Sequence, residues 1–430
     1  MSSQIPPLST STQPEPVAIP LDITSETGYL TRVLVHTPGE EMAMVSPENR
    51  EELLFEDILH VEDAHDEHQL MCEVFEKVIG DDDAVLQIAS LLREAFEIEA
   101  ARFDFVEQLC RISQAQNLQA FEKQLKALPA EELHRFALTG VSRLPIHAHP
   151  VPNLLFTRDL GATVGHTIIL SHPANASRSR ESIILSVVLH HHPRFASIAD
   201  QIVKLPRGVT FEGGDLLVLN ETSILIGHSE RTSFGGVMNV VRELFARTSI
   251  EHVVMANLPK QRACMHLDTV FTFVSPDECV IFPPLIEQTR PGNVALYSRG
   301  DSPSRFYVET GVDLKTALEG VLNRSLSFIP CGGDDPLAQK REQWTDGANF
   351  FALAPGLVIG YERNVRTFEE MRERGYRIVT ARGFLSYHDE SDFVPGEKMV
   401  IKLEGNELSR GRGGPRCMTL PLSRRPLDAP

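Results

Sequence analysis

Tryptophan occurs once in this 430-residue chain, and cysteine six times, as Cys72, Cys110, Cys264, Cys279, Cys331 and Cys417. No CxxC pair is present, so neither a disulfide framework nor a structural zinc site is signalled, and free thiols are expected. No apolar run approaches the roughly 20 residues that a membrane helix needs, and no signal-peptide core follows Met1. The cytoplasm is therefore the expected compartment. Basic residues are also scarce, with 41 Lys and Arg against 59 Asp and Glu and a formal charge of -18. That deficit argues against nucleic acid and anionic membrane as partners. The chain also lacks a glycine-rich phosphate loop or dinucleotide fingerprint in a strand-to-helix setting, so no nucleotide cofactor is implied.

What remains is an ordinary globular composition, 42% hydrophobic and 23% charged, long enough for one large domain. Residues 1–22, rich in Ser, Thr, Pro and Gln, read as a disordered tail, and residues 23–430 read as an α/β domain. The β-branched run Leu30–Val35, stopped by Pro38 and Gly39, predicts the first core strand, and Val85–Ile88 predicts another. Apolar spacing predicts helices over Pro47–Phe55 and Glu62–Ile79. An all-helical insertion is expected over residues from about 89 to about 143. Further on, short apolar runs recur at 167–170, 223–226, 279–282 and 356–359. Two of them lead through arginine-bearing loops into helical patterns, Val237–Phe245 and Thr367–Arg374. This degenerate repeat favours a ring of similar α/β modules over a string of independent domains.

The run Ser409-Arg-Gly-Arg-Gly-Gly-Pro-Arg-Cys417 is the strongest chemical signal. Gly411, Gly413 and Gly414 accept φ > 0 at no steric cost, so a tight turn is expected to present Cys417 before the segment Cys417–Leu422. Neighbouring guanidinium groups are expected to favour its thiolate, the nucleophilic form. Three other stretches join it. Arg158 and Asp159 end the apolar stretch 152–157. In Phe211-Glu-Gly-Gly-Asp215, two glycines interrupt a predicted strand between carboxylates, the mark of a bulge or a close backbone approach. In Met265-His-Leu-Asp268, a strand would point His266 and Asp268 to one face. Arg178 and Arg231 lie equally far downstream of Asp159 and Glu212, on different loops. The run His190–His192 precedes Pro193 at an expected helix end, where cations suit the dipole, and reads as structural.

Taken together, Asn153–Asp159, Phe211–Asp215, Met265–Thr272, Gln343–Asn349 and Ser409–Leu422 resemble the arginine deiminases of the guanidino-group-modifying superfamily, in the family order. The resemblance implies a five-unit α/β propeller with an inserted helical domain, and hydrolysis of L-arginine to L-citrulline and ammonia. Carried over residue by residue, it makes Cys417 the nucleophile and His266 the general acid and base. Asp159 and Asp268 become the holders of the guanidinium, with Glu212 in the same site. It assigns Asn153, Arg178 and Arg231 to the substrate's α-carboxylate and backbone end, Phe156 to its methylenes, and Arg412 to a place near the nucleophile. Arg416 stands where some members have histidine. The resemblance implies no metal and no organic cofactor, and a homo-oligomer is expected. Other guanidine chemistry on the same scaffold, such as agmatine or dimethylarginine hydrolysis or amidino transfer, is the alternative, along with an inactive arginine-binding protein.

Overall fold

The β-branched run at Tyr29 forms the strand Tyr29–Val35, and its neighbours set a pattern that the rest of the chain repeats. It pairs antiparallel with Leu420–Arg425, near the other end of the chain, and parallel with Val85–Gln87. A parallel pair needs a crossover, and helix Val61–Ile79 supplies it. The computed structural model describes residues 17–113, 118–145, 148–287, 292–302, 305–387 and 397–427. Within these, the same arrangement recurs with Thr167–Leu170, Ser223–His228, Glu278–Ile281 and Leu357–Tyr361 as the central strands. Each takes an antiparallel partner just before it and a parallel one after a helical crossover. The result is an α/β fold of five mixed sheets.

Helices Ile88–Ala95, Glu99–Ile112, Leu118–Lys126 and Ala130–Thr139 follow the first sheet. Leu92, Phe105, Leu125 and Phe136 on their apolar faces share one buried cluster with Ile184 and Val188 of helix Ser179–His191. Each such side chain contributes roughly 1.5–3 kcal/mol. The histidine run ends that helix as expected: His191 bonds Asp104 and His192 bonds Glu94, both at 3.0 Å. Among the described residues no helix is long and apolar enough to cross a membrane.

Two local expectations are corrected. Pro47–Phe55 is a series of turns rather than a helix, and near its end Leu54 adopts a left-handed φ of 64°, which no α-helix accommodates. Residues 1–16 of the expected tail lie outside the described residues. Beyond them the chain is already packed: Ile19 and Leu21 are buried in the core, and the N–H of Asp22 donates to Leu422.

The repeat also sets where the polar turns fall. The short 3-10 turns Thr157–Leu160, Gly213–Asp215 and Leu267–Thr269 each lead into the first strand of a sheet, and the turn at 415–418 leads into Leu420–Arg425. Residues that are far apart in sequence thereby reach one place from equivalent positions.

Candidate active site

Cys417 sits on the turn at 415–418, three residues before the strand Leu420–Arg425 begins. Its N–H donates to Asn349 Oδ1 at 3.1 Å, and its C=O accepts from the N–H of Arg158. The glycines before it act differently from expectation: the positive φ, 62°, belongs to Arg412. Gly413 and Gly414 are needed for close approach instead. A Cβ on Gly413 would stand 2.2 Å from the Phe156 ring, and one on Gly414 2.7 Å from Asn349 Oδ1.

The other groups gather around this turn. Asp159 lies on Thr157–Leu160, Glu212 just before Gly213–Asp215, and His266 at the head of Leu267–Thr269. His266 and Asp268 therefore occupy a 3-10 turn, not the strand expected for them. The Phe211–Asp215 stretch likewise bends through a turn, but its close approach is real: a Cβ on Gly214 would fall 2.8 Å from His266 Nδ1. His266 Nε2 lies 2.9 Å from Glu212 Oε2, and Nδ1 lies 3.5 Å from Asp159 Oδ1. Cys417 Sγ lies 3.9 Å from Asp268 Oδ2. One narrow cleft is lined by Cys417, His266, Asp159, Asn153, Phe156, Arg178, Arg231 and Arg412, with Leu54, Arg262 and Met265 at its edge. Broader clefts elsewhere, such as that between Thr24–Thr27 and Val218–Thr222, hold no cysteine.

The arginines are not where simple proximity placed them. Arg178 Nη1 donates to Asp159 Oδ2 at 2.6 Å, and its Nε to Glu181 Oε2 at 2.9 Å. Arg416, fully buried, spans Asp268 Oδ2 at 2.8 Å and Glu26 Oε2 at 3.1 Å. Arg412 lies 3.6 Å over the Trp344 ring. Arg231 is less engaged: its closest carboxylate oxygen is on Glu230 at 3.5 Å, with Glu212 at 3.8 Å. Asn153 Nδ2 donates to the C=O of Leu53, and Phe156 stacks on Phe55.

These contacts decide the charges. Burial pushes the Cys417 thiol well above its ordinary value, and Asp268, Asp159 and Asp346 push it the same way. Cys417, whose resting state the sequence leaves open between cationic neighbours and carboxylates, is therefore a thiol at rest, and the guanidinium groups near it in sequence are engaged with other partners. Burial opposes the charged form of His266, but Asp159 and the hydrogen bond to Glu212 outweigh it and raise the imidazolium to about 9. Burial likewise opposes the Glu212 carboxylate, and His266 together with Arg178 and Arg231 overcomes it, holding its pKa below the ordinary range.

Three supporting residues carry no site assignment from the sequence. Asp215 accepts the N–H of Leu267 at 2.9 Å and the Ser229 hydroxyl at 2.6 Å, tying the His266 turn to the Arg231 loop. Asn349 donates to the C=O of Asp268 while holding Cys417. Glu181 balances Arg178. Asp215 and Asn349 lie inside the motifs that carry the resemblance, whereas Glu181 has no signal beyond its place three residues after Arg178.

Among the described residues, Asp159, Glu212 and His266 form the one group whose donor atoms could close around a metal ion. The guanidinium of Arg178 already sits on Asp159 and lies 3.6 Å from Glu212. The trio thus faces cations of the chain's own, an arrangement suited to imidazolium and guanidinium.

A family model described as arginine deiminase matches residues 113–424. An arginine deiminase of Listeria monocytogenes is 35% identical over 432 residues, covering 95% of this chain and 98% of its own. The chain belongs to the arginine deiminase family. An arginine deiminase of Bacillus cereus is 34% identical, covering 95% of this chain and 99% of its own. Among solved structures, an amidinotransferase from Microseira wollei superposes with TM-score 0.53 at 14% identity, over 95% of this chain and 98% of its own. A dimethylarginine dimethylaminohydrolase adduct does so at 0.50 and 14%, over 91% of this chain and 99% of its own. At that identity the fold alone is shared.

The raised His266 gives this deiminase-family chain a testable stability profile. A group raised from about 6.5 in the unfolded chain to about 9 stabilises the fold fully below the lower value, and that contribution is lost as pH rises through the upper one. The contribution is of order 3 kcal/mol at about 1.36 kcal/mol per unit. Melting curves are expected to fall between those two pH values for wild type, and to lose that slope in His266→Gln, which is neutral throughout. An unchanged slope in the variant would remove His266 as its source.

Proposed function

We propose that the protein hydrolyses L-arginine to L-citrulline and ammonia through an amidino-cysteine intermediate on Cys417. The observation that supports this reading best is a set of polar atoms. Asp159 Oδ1, Asp268 Oδ1 and His266 Nδ1 are buried and have no hydrogen-bond partner among the described residues. Two carboxylate oxygens can accept the N–H groups of a planar guanidinium, and an imidazole nitrogen beside them can pass a proton. We also take the five sheets as the units of a five-unit propeller, and the four helices after the first sheet as its insertion.

The chemistry follows from the charges. A guanidinium carbon is a poor electrophile because its charge is delocalised and always present. Held between Asp159 and Asp268, it is oriented toward Cys417 Sγ. Its positive charge also offsets the carboxylates that keep the thiol protonated, so substrate binding favours loss of the thiol proton to solvent. Sulfur then bonds to the guanidinium carbon. His266 protonates one terminal amino group, the C–N bond breaks, and ammonia leaves. Water enters, gives a proton back to His266 and bonds to the same carbon. The C–S bond breaks, the hydroxyl on that carbon gives up its proton as the citrulline carbonyl forms, the released thiolate takes up a proton to restore the Cys417 thiol, and citrulline departs with His266 charged as it began. Glu212 keeps the imidazolium in place throughout.

Choice among guanidines is assigned to the far end of the substrate. Arg231 and Arg178 are proposed to meet the α-carboxylate, but they differ in what else they hold. Loss of one charge-assisted hydrogen bond costs about 1.5–3 kcal/mol, or one to two decades in kcat/KM. Arg231→Ala is therefore expected to cut arginine turnover by that amount and leave any agmatine turnover nearly unchanged. Arg178→Ala takes from Glu181 its ion-pair partner and leaves Asp159 with His266 alone; breaking a buried pair typically costs about 3–5 kcal/mol of stability, so its melting temperature is expected to fall as well. The test is colorimetric citrulline detection with purified protein and L-arginine, with agmatine deimination followed by ammonia release. Comparable wild-type rates on agmatine would move the reading to another guanidine reaction.

A further inference from the structure

The five-stranded sheet ends in a strand that no other described strand pairs with. Phe306–Thr310 lies outermost, against Val294–Arg299 alone. Tyr307 is 65% exposed and Val308 50%, and Arg305, Glu309 and Thr310 are exposed too. Natural edges are usually blunted by charged side chains, Pro, a bulge or a covering loop. This one has an unbroken register from Ala295–Thr310 to Arg299–Phe306, and Phe306 is anchored edge-on to Tyr297. Among the described residues it has no Pro, no bulge and no further strand beside it, and its two charges, Arg305 and Glu309, are of opposite sign.

We propose that this edge docks a second copy of the chain, with the two strands antiparallel about a two-fold axis at Tyr307. The backbone supports that register. The N–H of Gly300 donates to the C=O of Arg305. By the alternation of an antiparallel ladder, the backbone groups of Arg305, Tyr307 and Glu309 point into the sheet, and those of Phe306 and Val308 point out. A two-fold axis at Tyr307 sets Phe306 opposite Val308 of the second copy, so the outward N–H and C=O groups meet one another. The side chains agree. Arg305-Phe-Tyr-Val-Glu309 is its own complement about the centre, with Arg305 opposite Glu309, Tyr307 opposite Tyr307, and Phe306 opposite Val308. Directly opposed unlike charges and aromatic pairs are the favourable cross-strand contacts, and like charges there are destabilising.

Sedimentation velocity of the full chain over a micromolar concentration series tests this. Wild type is expected to dimerise. Val308→Pro removes an N–H that faces outward, the position where an edge strand tolerates proline, and is expected to be monomeric at the same concentrations. Glu309→Arg sets arginine against Arg305 twice per dimer and is expected to weaken association on the order of tenfold or more. The double variant Arg305→Glu/Glu309→Arg restores the complementarity and is expected to regain wild-type association. A monomeric wild type would overturn the proposal, as would a dimer that both single variants leave unchanged or a double variant no tighter than Glu309→Arg.

Discussion

Cys417→Ala is expected to abolish citrulline formation and to leave both the fold and arginine binding in place. The turn that carries the residue is held through its backbone, by Asn349 and Arg158, and alanine keeps both bonds. The proposed guanidinium partners, Asp159 and Asp268, belong to other turns. What is lost is the sulfur alone, and without a nucleophile the covalent route closes, a loss of about four decades or more. Equilibrium binding of labelled arginine checks retention of the site, and citrulline detection checks loss of turnover. Turnover by the purified variant, with contamination excluded, would remove Cys417 from its role.

His266→Ala is expected to have the second largest effect, about two to four decades in kcat, because the proposed mechanism uses the same ring for both proton transfers. The geometry makes a further demand. Glu212 is fully buried and depends on His266 at 2.9 Å, while Asp159 sits 3.5 Å from the other nitrogen. Removing the ring thus alters the pairing of two carboxylates, and one of these is also a proposed guanidinium holder. In a double-mutant cycle, the losses from His266→Ala and Asp268→Ala are expected to be strongly non-additive, as groups acting on one reacting carbon are. Simple multiplication of the two losses would show separate effects rather than one constellation.

Strand runs such as Tyr29–Val35 and Ser223–His228 are legible because β-branched residues bounded by turn signals carry their own information. The helices from Ile88 to Thr139 are legible from apolar spacing. The site is legible as a set of motifs, but its secondary structure is not. His266 and Asp268 alternate as a strand would, yet they form a turn, since the N–H of Leu267 is captured by Asp215, a tertiary contact that no local pattern reports. The state of Cys417 escapes the sequence for the same reason. Arg412 and Arg416 flank it along the chain, but one stacks on Trp344 and the other neutralises Asp268 and Glu26. Distance along the chain gives their neighbourhood and not their partners. The glycines are indispensable, as their pattern suggests, but for another reason: Phe156 and Asn349 press on Gly413 and Gly414.

The most direct measurement is mass spectrometry of enzyme quenched in acid during turnover of L-arginine. A covalent intermediate on Cys417 predicts that the peptide containing this residue gains the mass of arginine less ammonia, and that the gain vanishes when substrate is exhausted. An unmodified Cys417 peptide at saturating substrate, from enzyme that is forming citrulline under conditions where hydrolysis of the intermediate limits the rate, would contradict the mechanism.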